Sequence, residues 1–157
     1  KGGGLRNVYR FCRAGNGIME YKRFTDKIFL RADRGEELVS AIVSVCEKEN
    51  VRLASVSGIG AAGLIRAGYF DVAEKRYHVS EYRGDLEILS LLGNITEKDG
   101  EVYAHLHVCF AKEDGAACGG HLSEAVVSGT GEIVLSLADG RTGRRFDEKV
   151  GLNVFSF

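Results

Sequence analysis

From residue 51 onward the hydrophobic pattern of the chain has a period of two, and this constrains the fold more than any other feature. Six runs follow one another: VRLASVSGIG (51–60), GLIRAGYFDVA (63–73), RYHVSEYRG (76–84), DLEILSLLGNITEKDG (85–100), EVYAHLHVCFAKEDG (101–115) and GEIVLSLADG (131–140). Each is bounded by Gly, Asp or Lys and reads as a β-strand. Proline is absent while glycine is plentiful at 21 residues, so glycine alone makes the turns and bends. Lys98-Asp99-Gly100, between two such runs, signals a hairpin. GIGAAG at 58–63 has the wrong spacing for a dinucleotide fingerprint and reads as a bend between two strands.

One segment breaks the pattern. In DRGEELVSAIVSVCEKEN (33–50), Leu38, Ala41, Ile42, Val45 and Cys46 recur at helical spacing and form one apolar stripe. Asp33 is expected to cap this helix, with Glu36 completing a capping box. Cys46 falls on the stripe and is expected in the core. MEYKRFTDKIFLRAD (19–33) has strand character. Together these predict an α+β chain with a mainly antiparallel sheet and one principal helix. At 157 residues the chain fits one domain, placed at 19–157. Residues 1–18 are expected to be an N-terminal extension, or sequence upstream of a native start at Met19, the single methionine.

The charge narrows the classes of function. A net charge of -1 does not suit an electrostatic DNA binder, which carries a basic surplus. The distribution is uneven: residues 1–34 hold nine Lys/Arg against three Asp/Glu, leaving -7 in the rest. A basic segment on an acidic body can touch nucleic acid, attract a neighbouring subunit or simply face solvent. The sequence contains no apolar run of membrane-spanning length and no signal-peptide core, so a cytoplasmic location is expected. Four scattered cysteines without a CxxC pair are expected as reduced thiols.

The chemistry concentrates in AHLHVCFAKEDGAACGGHLSEAVV (104–127), which holds three of the four histidines. Alternation puts Ala104, Leu106, Val108 and Phe110 on one strand face, and His105, His107 and Cys109 on the other. The first face is core. On the second, alternate side chains stand about 7 Å apart, from which a twisted strand can converge them on one ion. Gly119-Gly120 is expected to bend the backbone so that His121 returns to that face. Three imidazoles with an open fourth position match a zinc-type divalent site; a polar patch or a subunit interface is the alternative. Cys109 and Cys118 are weaker candidate ligands, and His78 reads as a surface strand residue. Should the site be catalytic, Glu87 or Glu124 is the candidate base. The sequence carries no phosphate loop, nucleophile elbow or nucleotide-cofactor motif.

SGIGAAGLIRAGYFD (57–71), GDLEILSLLGNI (84–95), HLHVCFA (105–111) and GGHL (119–122), in this order and at these distances, resemble the PPC domain (plants and prokaryotes conserved). The likeness runs from about Tyr21 to the C-terminus and is to the stand-alone prokaryotic type. It implies a mainly antiparallel sheet beside one principal helix, a homotrimer, and a divalent metal, zinc, on His105, His107 and His121. It also implies a regulatory or DNA-binding role, as in plant members where the domain accompanies an AT-hook. Two departures bear on that role. Without proline the sequence contains no Arg-Gly-Arg-Pro element, and Asp85 stands where plant members carry a basic residue. The alternative is a small metal-dependent enzyme using the three histidines.

Overall fold

The computed structural model describes residues 10–13, as backbone, and residues 19–157. The expected extension at 1–18 otherwise lies outside the described residues, as does the side chain of Cys12. Among the described residues nine strands and one helix follow in chain order: β1 (Arg10–Arg13), β2 (Glu20–Arg23), β3 (Lys27–Asp33), α1 (Leu38–Lys48), β4 (Ala54–Asp71), β5 (Arg76–Lys98), β6 (Glu101–Ala111), β7 (Ala117–Leu137), β8 (Gly143–Asp147) and β9 (Leu152–Ser156). The α+β architecture with one helix and an antiparallel sheet is as the pattern predicts.

The six expected strands are in fact fewer and longer. Runs 51–60 and 63–73 are one strand, β4, and runs 76–84 and 85–100 are one strand, β5. GIGAAG is therefore not a bend between strands; it lies within β4, where the register to β5 shifts between Gly58 and Gly60 and between Ala62 and Leu64. Such bulges add twist without ending the strand. The principal sheet has the order β1-β2-β3-β7-β4-β5-β6, and β6 pairs in addition with β7. Strands β4, β5, β6 and β7 thus close into a ring of antiparallel pairings.

The helix start also differs from expectation. Its cap is Glu37, whose carboxylate accepts from the N–H groups of Val39 and Ser40 at 2.9 and 2.7 Å. Asp33 instead ends β3, because the Arg34-Gly35 turn, with Gly35 at φ +90°, separates strand from helix. Glu36 reaches back to the Asp33 N–H at 2.7 Å, half of the expected box. The predicted stripe Leu38, Ala41, Ile42, Val45 and Cys46 is buried throughout, facing β3, β6 and β7. Burial pushes the Cys46 thiol up to about 12, with the Glu47 charge adding to the shift, which suits a core thiol. The same core contains Leu106 and Phe110 of β6, Ile95 of β5 and Ile133 and Leu135 of β7, all at most 2% exposed.

Beyond the principal sheet, β8 and β9 form a separate two-stranded hairpin. Arg144 anchors it to the body. Its Nε donates to Thr96 Oγ1 at 3.0 Å and its Nη2 to Asn94 Oδ1 at 2.5 Å, while the guanidinium sits over the rings of Tyr103 and Phe155. Among the described residues, no helix is long and apolar enough to cross a membrane.

Candidate metal centre

The closed ring of strands builds the histidine cluster. His105 and His107 leave the same face of β6, while Leu106, Val108 and Phe110 point into the core, as alternation requires. His107 is the direct cross-strand partner of His121 on β7, and His105 faces Asn94 on β5. The three ring centroids stand 5.2, 5.2 and 5.5 Å apart. One nitrogen from each ring lies within 4.8 Å of the others.

Gly119 and Gly120 do not act as the expected bend. The chain returns through the turn at 112–116, and both glycines are paired within β7, opposite Cys109 and Val108 of β6. Their role is close approach. Gly120 has φ +152°, and a Cβ there would stand 2.3 Å from the carbonyl oxygen of Gly68 on β4. Glycine lets the two backbones meet, and that contact sets His121 beside β6.

The chemistry of the cluster fits a divalent cation. His121 Nδ1 is buried with no hydrogen-bond partner, a costly state for a polar atom unless something else binds it. Burial, followed by repulsion from His105 and His107, lowers the His121 pKa to about 4. His105 is shifted the same way, first by burial, then by Arg144 and His107. Metal-binding imidazoles must be neutral, and these two are held so. Nitrogens on tetrahedral zinc lie about 3.4 Å apart, a spacing compatible with three donors that already lie within 4.8 Å of one another.

The rings open onto a cavity of about 310 Å³. Tyr69, Phe70 and Tyr77 from the β4–β5 hairpin, Tyr103 from β6, and Leu152 and Asn153 from β9 line it with the histidines. Tyr77 packs on His121 with centroids 4.7 Å apart. Burial, then the neighbouring Tyr103, raises the Tyr77 pKa above that of an ordinary phenol. Of the other candidates, Cys109 and Cys118 do not join the group of converging ligand atoms. Neither Glu87 nor Glu124 lines the cavity, and Glu124 is held by Arg66 at 2.6 Å. His78 is a half-buried strand residue stacked on Tyr69 and bonded to Glu74 at 3.0 Å. It belongs with Asp71 and Glu74 to a second group of nearby donors at the hairpin tip. There Asp71 Oδ1 is occupied by the N–H groups of Ala73 and Glu74, an ordinary turn.

Sequence reasoning missed the aromatic wall and Arg144. The one local signal for the wall is Gly68, a glycine deep in a strand, which marks a close backbone approach. Nothing local identifies Arg144.

Comparison with known proteins follows the same lines. A protein from Bacteroides thetaiotaomicron, provisionally described as DNA-binding, is 31% identical, with 90% of this chain and 99% of its own covered at a TM-score of 0.87. A metal-containing protein from Archaeoglobus fulgidus is 34% identical over 96% of this chain and 99% of its own, with a TM-score of 0.78. A plant- and prokaryote-conserved protein from Pyrococcus horikoshii is 33% identical over 92% and 98%, with a TM-score of 0.77. No curated protein matches the sequence significantly. The model of the Plants and Prokaryotes Conserved (PCC) domain matches residues 19–139, which contain the helix, the closed ring of strands and all three clustered histidines; the chain belongs to the PCC domain family.

Proposed function

We propose that residues 19–157 form a single PCC domain that binds one divalent metal, zinc, through His105, His107 and His121 and assembles as a homotrimer with a regulatory role. The convergence of three imidazoles, together with a buried His121 Nδ1 that has no hydrogen-bond partner, carries the metal reading. The metal-containing relative from Archaeoglobus fulgidus supports it. All three ligands come from two adjacent strands of one chain, so one subunit suffices to hold the ion. Nitrogen donors of this kind suit zinc, which would offer a Lewis-acidic fourth position to the cavity.

Self-association is supported by the outer face of the sheet. Phe29 (β3), Ile59 (β4), Leu89 and Leu92 (β5) are 49, 57, 52 and 57% exposed. They line one shallow cavity of about 680 Å³, bordered by Glu20, Lys22, Arg31 and Glu132. Contiguous apolar surface of this kind marks an interface. The enzyme alternative has less support, because no carboxylate lines the histidine cavity to act as a base.

Elemental analysis of native and His105→Ala protein, paired with light scattering, tests the metal reading. The expected result is one equivalent of zinc in the native protein, its loss in the variant, and an unchanged assembly. A metal-free native protein overturns the reading, and loss of the assembly along with the metal would make the site structural.

Direct contact with DNA is a second reading. It rests on the Bacteroides thetaiotaomicron relative provisionally described as DNA-binding and on the basic excess within residues 1–34. Duplex affinity measured against salt decides it. A contact through this segment gives a steep loss of affinity between about 50 and 200 mM salt. Binding that survives charge reversal of Lys22, Arg23, Lys27 and Arg31 would remove it.

A further inference from the structure

The cavity over the histidines is chemically one-sided. Phe70, Tyr77, Tyr103 and Leu152 make its walls aromatic or aliphatic, and its remaining polar lining, Asn153 among it, is uncharged. Among the residues that line it there is no Asp or Glu. A divalent cation held by three imidazoles keeps its full charge, because imidazole ligates as a neutral ring. Arg144 adds another positive charge close by, since its Nη2 bonds to Asn94, the cross-strand partner of His105. Confining that much positive charge beside apolar walls is costly unless an anion accompanies it. A hydroxide on the metal would offset one charge and leave the aromatic volume unused. At about 310 Å³ the cavity stands at the lower end of the range for small-molecule sites, roughly 300–1,000 Å³.

Resting on the metal reading above, we propose that this cavity is a receptor for a small organic monocarboxylate. The carboxylate occupies the fourth position on the metal, and the apolar body lies between Tyr77 and Phe70 on one side and Tyr103 and Leu152 on the other. Charge selects the head group, and the rings select an aromatic or branched body over a short one. The β8–β9 hairpin belongs to the site, because Leu152 and Asn153 form part of its wall. Its anchor, Arg144, is a positioning residue that also contributes charge.

The test uses the full chain loaded with cobalt(II), whose visible absorption responds to a change of ligand. Benzoate, acetate and benzamide are titrated separately. Benzoate is expected to give a saturable spectral change, with affinity about tenfold above that of acetate because it buries more apolar surface. Benzamide, of the same shape without the charge, is expected to give none over the same range. In Leu152→Glu the new carboxylate supplies the anion from β9. That variant should keep one cobalt and bind benzoate at least about tenfold more weakly. A cobalt spectrum that benzoate leaves unchanged overturns the carboxylate site while the metal reading stands. An equal response to benzamide, or unaltered benzoate affinity in Leu152→Glu, also overturns it. If no cobalt binds, the three-histidine reading fails and the receptor fails with it.

Discussion

At His121, burial and two neighbouring imidazoles oppose protonation, and the stability of the protein should register this. The pKa is about 4 in the folded chain against an ordinary value of 6.5. Above pH 6.5 neither state holds the proton, so this group contributes no pH dependence. Between 6.5 and about 4 the unfolded chain takes up a proton that the folded chain resists, so stability falls as pH falls, and it levels off below 4. His105 acts in the same direction. We expect the urea midpoint of metal-free protein to drop as the pH is lowered through 6, and His121→Gln to remove part of that slope. A slope identical in the variant would show that the ring is accessible to protons. The histidines themselves were readable in the sequence, because alternation along 104–110 assigns each side chain to a face. Tyr77 was not: its place beside His121 depends on Gly120 letting β7 approach β4 at Gly68, and on Gly68 letting β4 approach β5 at His78, contacts between parts of the chain distant in sequence.

Elements show the same division between local and distant causes. Helix α1 was readable because its stripe is a local periodic signal, whereas its cap was not. By residue type Asp33 is the stronger capping residue, but the Gly35 turn, which no local periodicity marks, shifts the cap to Glu37. For β4 and β5 the rule that locates most turns divides each strand in two. A glycine inside a strand looks like its end when register shifts are invisible. Hairpin β8–β9 leaves little signal in the sequence, because GRRFD and LNVFS carry little alternation. Arg144, between Tyr103 and Phe155, ties it to the body, alongside the Lys75 bond to the Glu148 carbonyl and the Asn153 bond to Tyr103. Removing that anchor tests how far the hairpin depends on it. Arg144→Ala should raise amide exchange across 143–156 by at least about tenfold while leaving exchange in α1 unchanged. Protection lost equally in the helix would mean that the hairpin and the core unfold as one unit.

For the whole molecule, the exposed apolar face predicts behaviour in solution. A charge at its centre should prevent burial of the patch. Leu92→Glu is expected to convert the proposed trimer to monomers, read by light scattering at micromolar concentration, with the fold retained by circular dichroism. A trimer that persists would place the subunit contact elsewhere. The family resemblance was legible across nearly the whole molecule, since its motifs lie at the strand contacts that close the ring. Assembly state left no comparable mark, because an apolar residue on an outer sheet face alternates just as a core residue does.

The position of β7 has a consequence for how the molecule is made. This strand pairs with β3, with β4 and with β6, and β3 has no other link to the ring. During synthesis the hairpins β2–β3 and β4–β5 leave the ribosome well before their common partner exists. Each then presents an unpaired edge to its surroundings. Completion of the sheet waits for residues 117–137, so the protein gains its stability late and nearly all at once. The histidine pair that β7 forms with β6 is set in that same closing step. The nascent chain therefore has no competent site to offer a metal until β7 has been translated.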